Sequence, residues 1–149
     1  MRAGEIAEPY PVVGVNTSAL VAARLIGRDR LPGLVVTDLD GTPKAILPAS
    51  EVVRFVVPEY VQADPTLAGV IGEMAADRIA DRLGDSTVGD LLPGRPVELA
   101  VLKSDDTVLE LAAVMARLRS PLCAVVEGGR IIGVVTASRL LELVCGEPV

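Results

Sequence analysis

The sequence predicts an α/β (α+β) fold: two β-α-β-β-α units packed with pseudo-twofold symmetry and joined by a helical connector. Three observations carry this reading. Residues 129–144 read as a strand (130–135) running straight into an apolar helix that starts near Thr136, and residues 41–56 repeat that pattern with the same Ala-Ser at the turn. The preceding helices also align, residues 18–26 over 107–115 at an offset of 89, while Ala49-Ser50 lies over Ala137-Ser138 at 88. Strands such as 131–135 are apolar on both faces. One unit alone cannot cover such a sheet, and two facing each other can.

The elements follow in order. Residues 3–8 form a short helical lead-in, closed by Pro9 and Pro11. Residues 12–15 are extended, and Thr17 or Ser18 caps a helix with apolar positions Leu20, Val21, Leu25 and Ile26. Residues 28–33 break it. A strand at 34–37, a hairpin turn with an Asp40-Gly41 signature and a return strand at 45–47 come next. Pro48 opens the following helix, where its missing N–H costs nothing, and Glu51 suits the dipole of the first turn.

The first unit spans 1–57, and residues 58–86 interrupt the pattern. Asp64-Pro65 is a cap followed by a proline at the first helical position. The spacing of Leu67, Val70, Ile71, Met74, Ile79 and Leu83 predicts a single docked connector helix of about five turns, ended by Gly84.

The second unit, 87–149, opens with a helical turn over 86–92 and a strand over 97–101. Asp106 or Thr107 caps a helix that turns Val108, Leu111, Ala112, Met115 and Leu118 inward, and Thr107 and Glu110 have capping-box spacing. A strand at 122–126 and a tight turn at 127–129 lead back to the duplicated stretch, where Leu140, Leu141 and Val144 recur at helical spacing. Gly4 and Pro11 lie over Gly89 and Pro96 at an offset of only 85, so the second unit is longer before its first helix.

Composition narrows the function. Half of the 149 residues are hydrophobic, yet the aromatics are only Tyr10, Phe55 and Tyr60, so an aliphatic core is expected. No apolar run approaches the ~18–20 residues of a membrane span. The N-terminus has an early acid and no apolar signal-peptide core, and Cys123 and Cys145 sit in apolar surroundings, which together point to a reducing cytoplasm. Histidine is absent, which removes the commonest general base and the usual zinc ligand. A net charge of −6, with arginines interleaved among acids, lacks the footprint of a nucleic-acid binder. Neither a nucleophile–base pair nor a metal-ligand cluster stands out, so no enzyme and no metal site is expected.

Residues 87–92 (Thr-Val-Gly-Asp-Leu-Leu), 104–108 (Ser-Asp-Asp-Thr-Val) and 133–140 (Gly-Val-Val-Thr-Ala-Ser-Arg-Leu) together resemble a CBS domain, the cystathionine-β-synthase motif. The first unit resembles a more diverged copy, so the chain is similar to a stand-alone CBS pair throughout, apart from the connector. The resemblance implies a module whose central cleft binds an adenosine-containing ligand such as AMP, ADP, ATP or S-adenosylmethionine. It also implies a disc-shaped homodimer.

The family's pocket signature is a glycine, two apolar residues, Thr or Ser, two more residues, then Asp. The hydroxyl and the helix N-terminus favour phosphate, and the Asp accepts from ribose hydroxyls. In the second unit Gly133, Val134, Val135 and Thr136 fit, Ser138 adds a hydroxyl, and Arg139 takes the Asp position. Arginine cannot accept from a diol, but its fork of donors suits phosphate oxygens. In the first unit Ala45, Pro48 and Glu51 take the Gly, Thr and Asp positions, so Glu51 keeps an acceptor and Ser50 a hydroxyl. The same resemblance draws apolar adenine contacts from the first strands, around Val12, Val13, Leu99 and Ala100, with no aromatic stacking. Thr136 and Ser138 suit helix capping equally well. The expected function is a regulatory module sensing such a ligand. The alternative is a ligand-free dimerisation module that docks to a partner enzyme or transporter.

Overall fold

The computed structural model describes residues 1–71, 74–93 and 98–146, and side-chain surroundings for the same residues apart from 70, 71 and 74–77. Two three-stranded sheets lie against each other. In the first, β1 (Val12–Gly14) runs parallel to β2 (Gly33–Thr37), which is antiparallel to β3 (Pro43–Pro48). In the second, β4 (Val101–Lys103), β5 (Leu122–Glu127) and β6 (Arg130–Thr136) repeat that arrangement. Even the irregularities match, with a register shift between Val36 and Thr37 in one hairpin and between Val125 and Val126 in the other. The Gly128-Gly129 turn has φ of 60° and 80°, the left-handed values that a tight hairpin demands and glycine supplies without strain.

Alternation along the strands sorts the core into layers. Leu34 and Val36 join Ala19, Ala22 and Val52 on the helix-covered face of the first sheet. Cys123, Val125 and Val135 do the same in the second, against Leu111 and Met115. The residues between them, Val35 from the first sheet and Leu122, Ala124 and Val134 from the second, form the seam where the sheets meet. The long helices are α2 (Ala19–Asp29) and α3 (Ala49–Val56) over the first sheet, α8 (Val108–Leu118) and α9 (Ala137–Cys145) over the second. Thr107 and Thr136 cap the last two, each hydroxyl accepting from the N–H three residues on, Glu110 at 3.1 Å and Arg139 at 3.2 Å.

The short helices exchange places. α1 (Ala3–Ile6) belongs to the first unit but packs on the second: the N–H groups of Ala3 and Gly4 donate to the carbonyls of Asp106 and Ser104 at 2.8 and 2.9 Å. α7 (Val88–Leu91), from the second unit, donates in the same way to Thr17 and Val15 at 2.8 and 2.9 Å. Ala3 and Ile6 are buried in the second unit's core, and Val88 and Leu91 in the first's.

Three expectations are corrected. The connector is not one helix but α4 (Glu59–Ala63), a 3₁₀ turn (Pro65–Leu67), α5 (Ala68–Ile71) and α6 (Met74–Gly84). The break has a local cause: the ring of Pro65 disfavours helical backbone at Asp64, whose φ is −139°, and the Asp64 carboxylate accepts instead from the Thr66 hydroxyl at 2.6 Å. Leu83 is buried and Ile79 packs on the first unit's core, whereas Leu67 is exposed. The expected docking of Val70, Ile71 and Met74 lies outside the described side chains. The strand expected over 97–101 starts only at Val101, whose N–H folds back onto the Leu99 carbonyl at 3.0 Å, and residue 97 lies outside the described residues. Finally, Val21, Leu141 and Val144 point to solvent, Ala22 and Leu143 face inward in their place, and Leu140 faces inward as expected.

The two cysteines differ sharply. Burial pushes the Cys123 thiol from 9.0 up to about 12, and Cys145 is exposed on α9. At pH 8 a thiol-specific reagent is expected to modify Cys145 within the mixing time and Cys123 only after denaturation. Two fast thiols in the native protein would contradict the packing. Because the folded-state value is raised, the stabilising contribution is complete below about pH 9 and drains away as pH rises towards 12. Tyr10, also raised to about 12 by burial while its hydroxyl donates to the Gly33 carbonyl at 2.7 Å, adds to that alkaline loss from pH 10 upward. Melting temperatures measured across this range should fall accordingly.

Candidate functional site

β3 runs into α3 at Pro48, and this strand-to-helix corner faces the second unit across a cleft of about 940 Å³. From the first unit come Ala45, Ile46, Pro48, Glu51 and Phe55. From the second come Leu99 and Ala100 ahead of β4, and Leu118, Arg119, Ser120 and Pro121 where α8 passes into β5. Arg54, Glu59, Arg82, Asp90 and Glu98 add charge of both signs.

Several contacts hold this arrangement. Arg82 of α6 places its guanidinium over the Phe55 ring, 4.6 Å from the centroid, a cation–π contact that joins connector to cleft wall. Arg117 grips Glu98 through two bonds of 2.8 Å, pinning the approach to Leu99 and Ala100 and holding the Glu98 carboxyl below its ordinary range. Arg119 ends α8 in the left-handed region with φ of 52°, matched by Arg30 at the end of α2 with φ of 53°. For a residue with a β-carbon that conformation costs on the order of 1–3 kcal/mol, which the surrounding fold must offset.

Of the residues singled out from sequence, Glu51, Leu99 and Ala100 meet at this cleft. Ser50 is exposed and faces a shallower groove with Val53, Val57 and Val61. Val12 is partly exposed and Val13 is buried in the first unit's core; neither lines the cleft. Thr136, Ser138 and Arg139 stand at the equivalent corner of the second unit, between β6 and α9. There Thr136 caps the helix and Ser138 is exposed. Arg139 lies between two acids, with Glu142 at 2.9 Å and Glu8 at 3.4 Å. The Glu8 contact is an ion pair without hydrogen-bond geometry, so the buried Arg139 Nε has no bonded partner.

Phe55, Arg82 and Arg119 escaped the sequence reading. Phe55, the lone phenylalanine, had a signal in its position one turn after Glu51. Arg119 had one in its alignment with Arg30 at an offset of 89. Arg82 had none, since its place depends on how the connector folds.

At the second corner the chain approaches itself closely. Glu8 donates its N–H to the Val134 carbonyl at 3.0 Å and accepts from the Val134 N–H at 2.9 Å. Gly133 permits the approach, because a Cβ there would sit 2.8 Å from the Glu8 carbonyl oxygen and 3.0 Å from the Ala7 Cβ. Gly133→Ala is therefore expected to destabilise the fold by about 1–3 kcal/mol, the usual range for overpacking. Gly27→Ala, on an exposed stretch of α2 with nothing within 4 Å, is expected to stabilise it by roughly 0.5–1 kcal/mol. Denaturant titration of both variants checks the pair, and a neutral Gly133→Ala would contradict the close approach.

A family model described as CBS domain matches residues 88–146. No curated protein sequence matches the chain. Among solved structures, a CBS domain-containing protein of unknown function from Kribbella flavida is 57% identical, covers 98% of this chain and 99% of its own, and superposes with a TM-score of 0.86. The CBS domain of a CBS domain containing membrane protein from Sphaerobacter thermophilus is 22% identical, with 96% and 87% covered and a TM-score of 0.71. CBSX2 of Arabidopsis thaliana in complex with AMP is 19% identical, with 97% and 96% covered and a TM-score of 0.67. A relative 57% identical over 98% of this chain decides the family: the chain belongs to the CBS-domain proteins and folds as a CBS pair.

Proposed function

We propose that this CBS pair is a regulatory module whose first-unit cleft takes an adenosine-containing ligand of the class AMP, ADP, ATP or S-adenosylmethionine. The observation that carries the reading is one cleft of about 940 Å³ in which Glu51, an acceptor at the start of α3, is joined by Arg82 and Arg119. Glu51 accepts from the ribose hydroxyls, the guanidinium groups take phosphate oxygens, and Ile46, Phe55, Leu99 and Ala100 provide an apolar wall for the base. The volume falls within the ~300–1,000 Å³ typical of small-molecule sites. The AMP complex of CBSX2 supports the ligand class through the shared fold. Because the wall comes from both units, a bound ligand ties them together, and the outer helices carry that change to a partner.

Calorimetric titration tests this reading. Affinity is expected to rise from adenosine through AMP to ATP and to fall with added salt. Glu51→Ala should weaken every adenosine ligand by about 10–100-fold, the equivalent of a charge-assisted hydrogen bond of roughly 1.5–3 kcal/mol. Arg119→Ala should weaken ATP more than adenosine. Equal affinity for adenosine and ATP would remove the phosphate role, and no binding at millimolar concentration would favour the ligand-free interaction module.

A homodimer belongs to the same proposal, supported by apolar side chains left uncovered on the outer helices: Val53 at 59% exposure on α3, Leu141 and Val144 at 58% and 65% on α9. Val53 and Leu141 occupy equivalent positions at an offset of 88, so both units present the same kind of patch. Light scattering of the wild type is expected to give twice the chain mass, and Val53→Lys with Leu141→Lys a monomer. A monomeric wild type at high micromolar concentration would overturn the dimer.

A further inference from the structure

The two corners are built from equivalent pieces, yet among the described residues the cleft of about 940 Å³ lies at the first, while at the second Ala7 and Glu8 lie against Gly133 and Val134, and three sequence differences accompany this. Residues 3–8 and 88–93 align at an offset of 85, which makes Glu8 and Pro93 equivalent, and Gly133 is equivalent to Ala45 at 88. The bridge between Glu8 and Val134 needs an N–H at Glu8, and Pro93 has none to donate. The approach also needs a position without a Cβ, and Ala45 carries one, which lines the open cleft. Lastly, the offset grows from 85 at the lead-in to 89 at β4, so the second lead-in has four more residues before its strand.

The side chains agree with the backbone. Arg139 stands where Glu51 stands in the first unit, and its acid comes from the chain itself, the Glu8 carboxylate 3.4 Å from Nε. An anion arriving at Arg139 has to displace that carboxylate.

We infer that Ala7 and Glu8 form a strap that occupies the second corner and bars it to a ligand, with Glu8 as the built-in anion of Arg139. The ligand named for the open cleft rests on the reading proposed above. The strap rests on Glu8, Gly133, Val134 and Arg139 alone.

The test uses the full chain as wild type, Glu8→Gln and Glu8→Pro. Glu8→Gln removes the carboxylate and keeps the bridge; Glu8→Pro copies the residue of the open cleft and removes the donor. Amide hydrogen exchange reads the strap, the NMR signal of the Arg139 Nε–H during titration with inorganic phosphate reads the anion site, and calorimetry with ATP reads the stoichiometry. The Val134 amide is expected to exchange at least tenfold faster in Glu8→Pro than in the wild type. Phosphate should leave the Arg139 signal in place in the wild type and shift it in Glu8→Gln, and ATP should bind once per chain. Two ATP per wild-type chain, a phosphate-driven Arg139 shift in the wild type, no such shift in Glu8→Gln, or equally fast Val134 exchange in wild type and Glu8→Pro would each overturn the strap. If ATP binds nowhere while the exchange and phosphate results come out as expected, the ligand reading fails and the strap stands.

Discussion

The interaction on which everything else depends is the seam between the two sheets. Each central strand is buried on both faces, with Leu34 and Val36 under helices and Val35 against the other sheet, and with Cys123 and Val125 opposed in the same way to Leu122 and Ala124. Helices cover one face of a three-stranded sheet and leave the other to water, at roughly 25 cal/mol for each Å² of apolar surface left exposed. Facing the two sheets removes that cost in a single contact and brings the strand-to-helix corner of each unit against the other unit. The exchanged lead-ins reinforce the pairing, since Ile6 fills the second core and Leu91 the first.

A duplicated fold tends to produce duplicated corners, and here the two corners differ. The backbone differences between the two corners are small, an alanine for a glycine, a proline for a glutamate and four residues of extra chain, and Glu51 faces the first where Arg139 faces the second. Their effects point the same way because each governs how closely the backbone can approach the corner. Where the backbone can donate and come close, it closes the corner. Where proline withholds the donor and alanine carries a Cβ, the described residues leave a cleft lined by Glu51, Phe55 and Arg119.

Much of this was legible in the residues. The pattern β-α-β-β-α, the threonine caps, both hairpin turns and the aliphatic core follow from local rules of periodicity and capping. Glu51, Leu99 and Ala100 were found through the duplication and the family resemblance. Helix rotation was less legible: α9 carries Leu140, Leu141, Leu143 and Val144, so apolar spacing alone allows more than one inward face, and burial falls on Leu140 and Leu143. The start of β4 was misplaced because residues 97–101 are extended by composition, while the turn at Leu99 depends on where the chain arrives from.

By itself the sequence determined the unit, its duplication and the family, because those depend on contacts between residues a few positions apart or on an internal repeat. Which corner the chain itself approaches was decided only in three dimensions. Glu8 and Val134 come from different units and meet only once the sheets have paired, as Glu51 and Arg119 come to line one cleft, and Phe55 meets Arg82 only once the connector has folded onto the first unit. Glycine at 133 carries no mark in the sequence that tells a ligand's approach from the chain's own. The physical reason is steric: the missing Cβ makes room, and the fold, through the short lead-in, supplies what fills it.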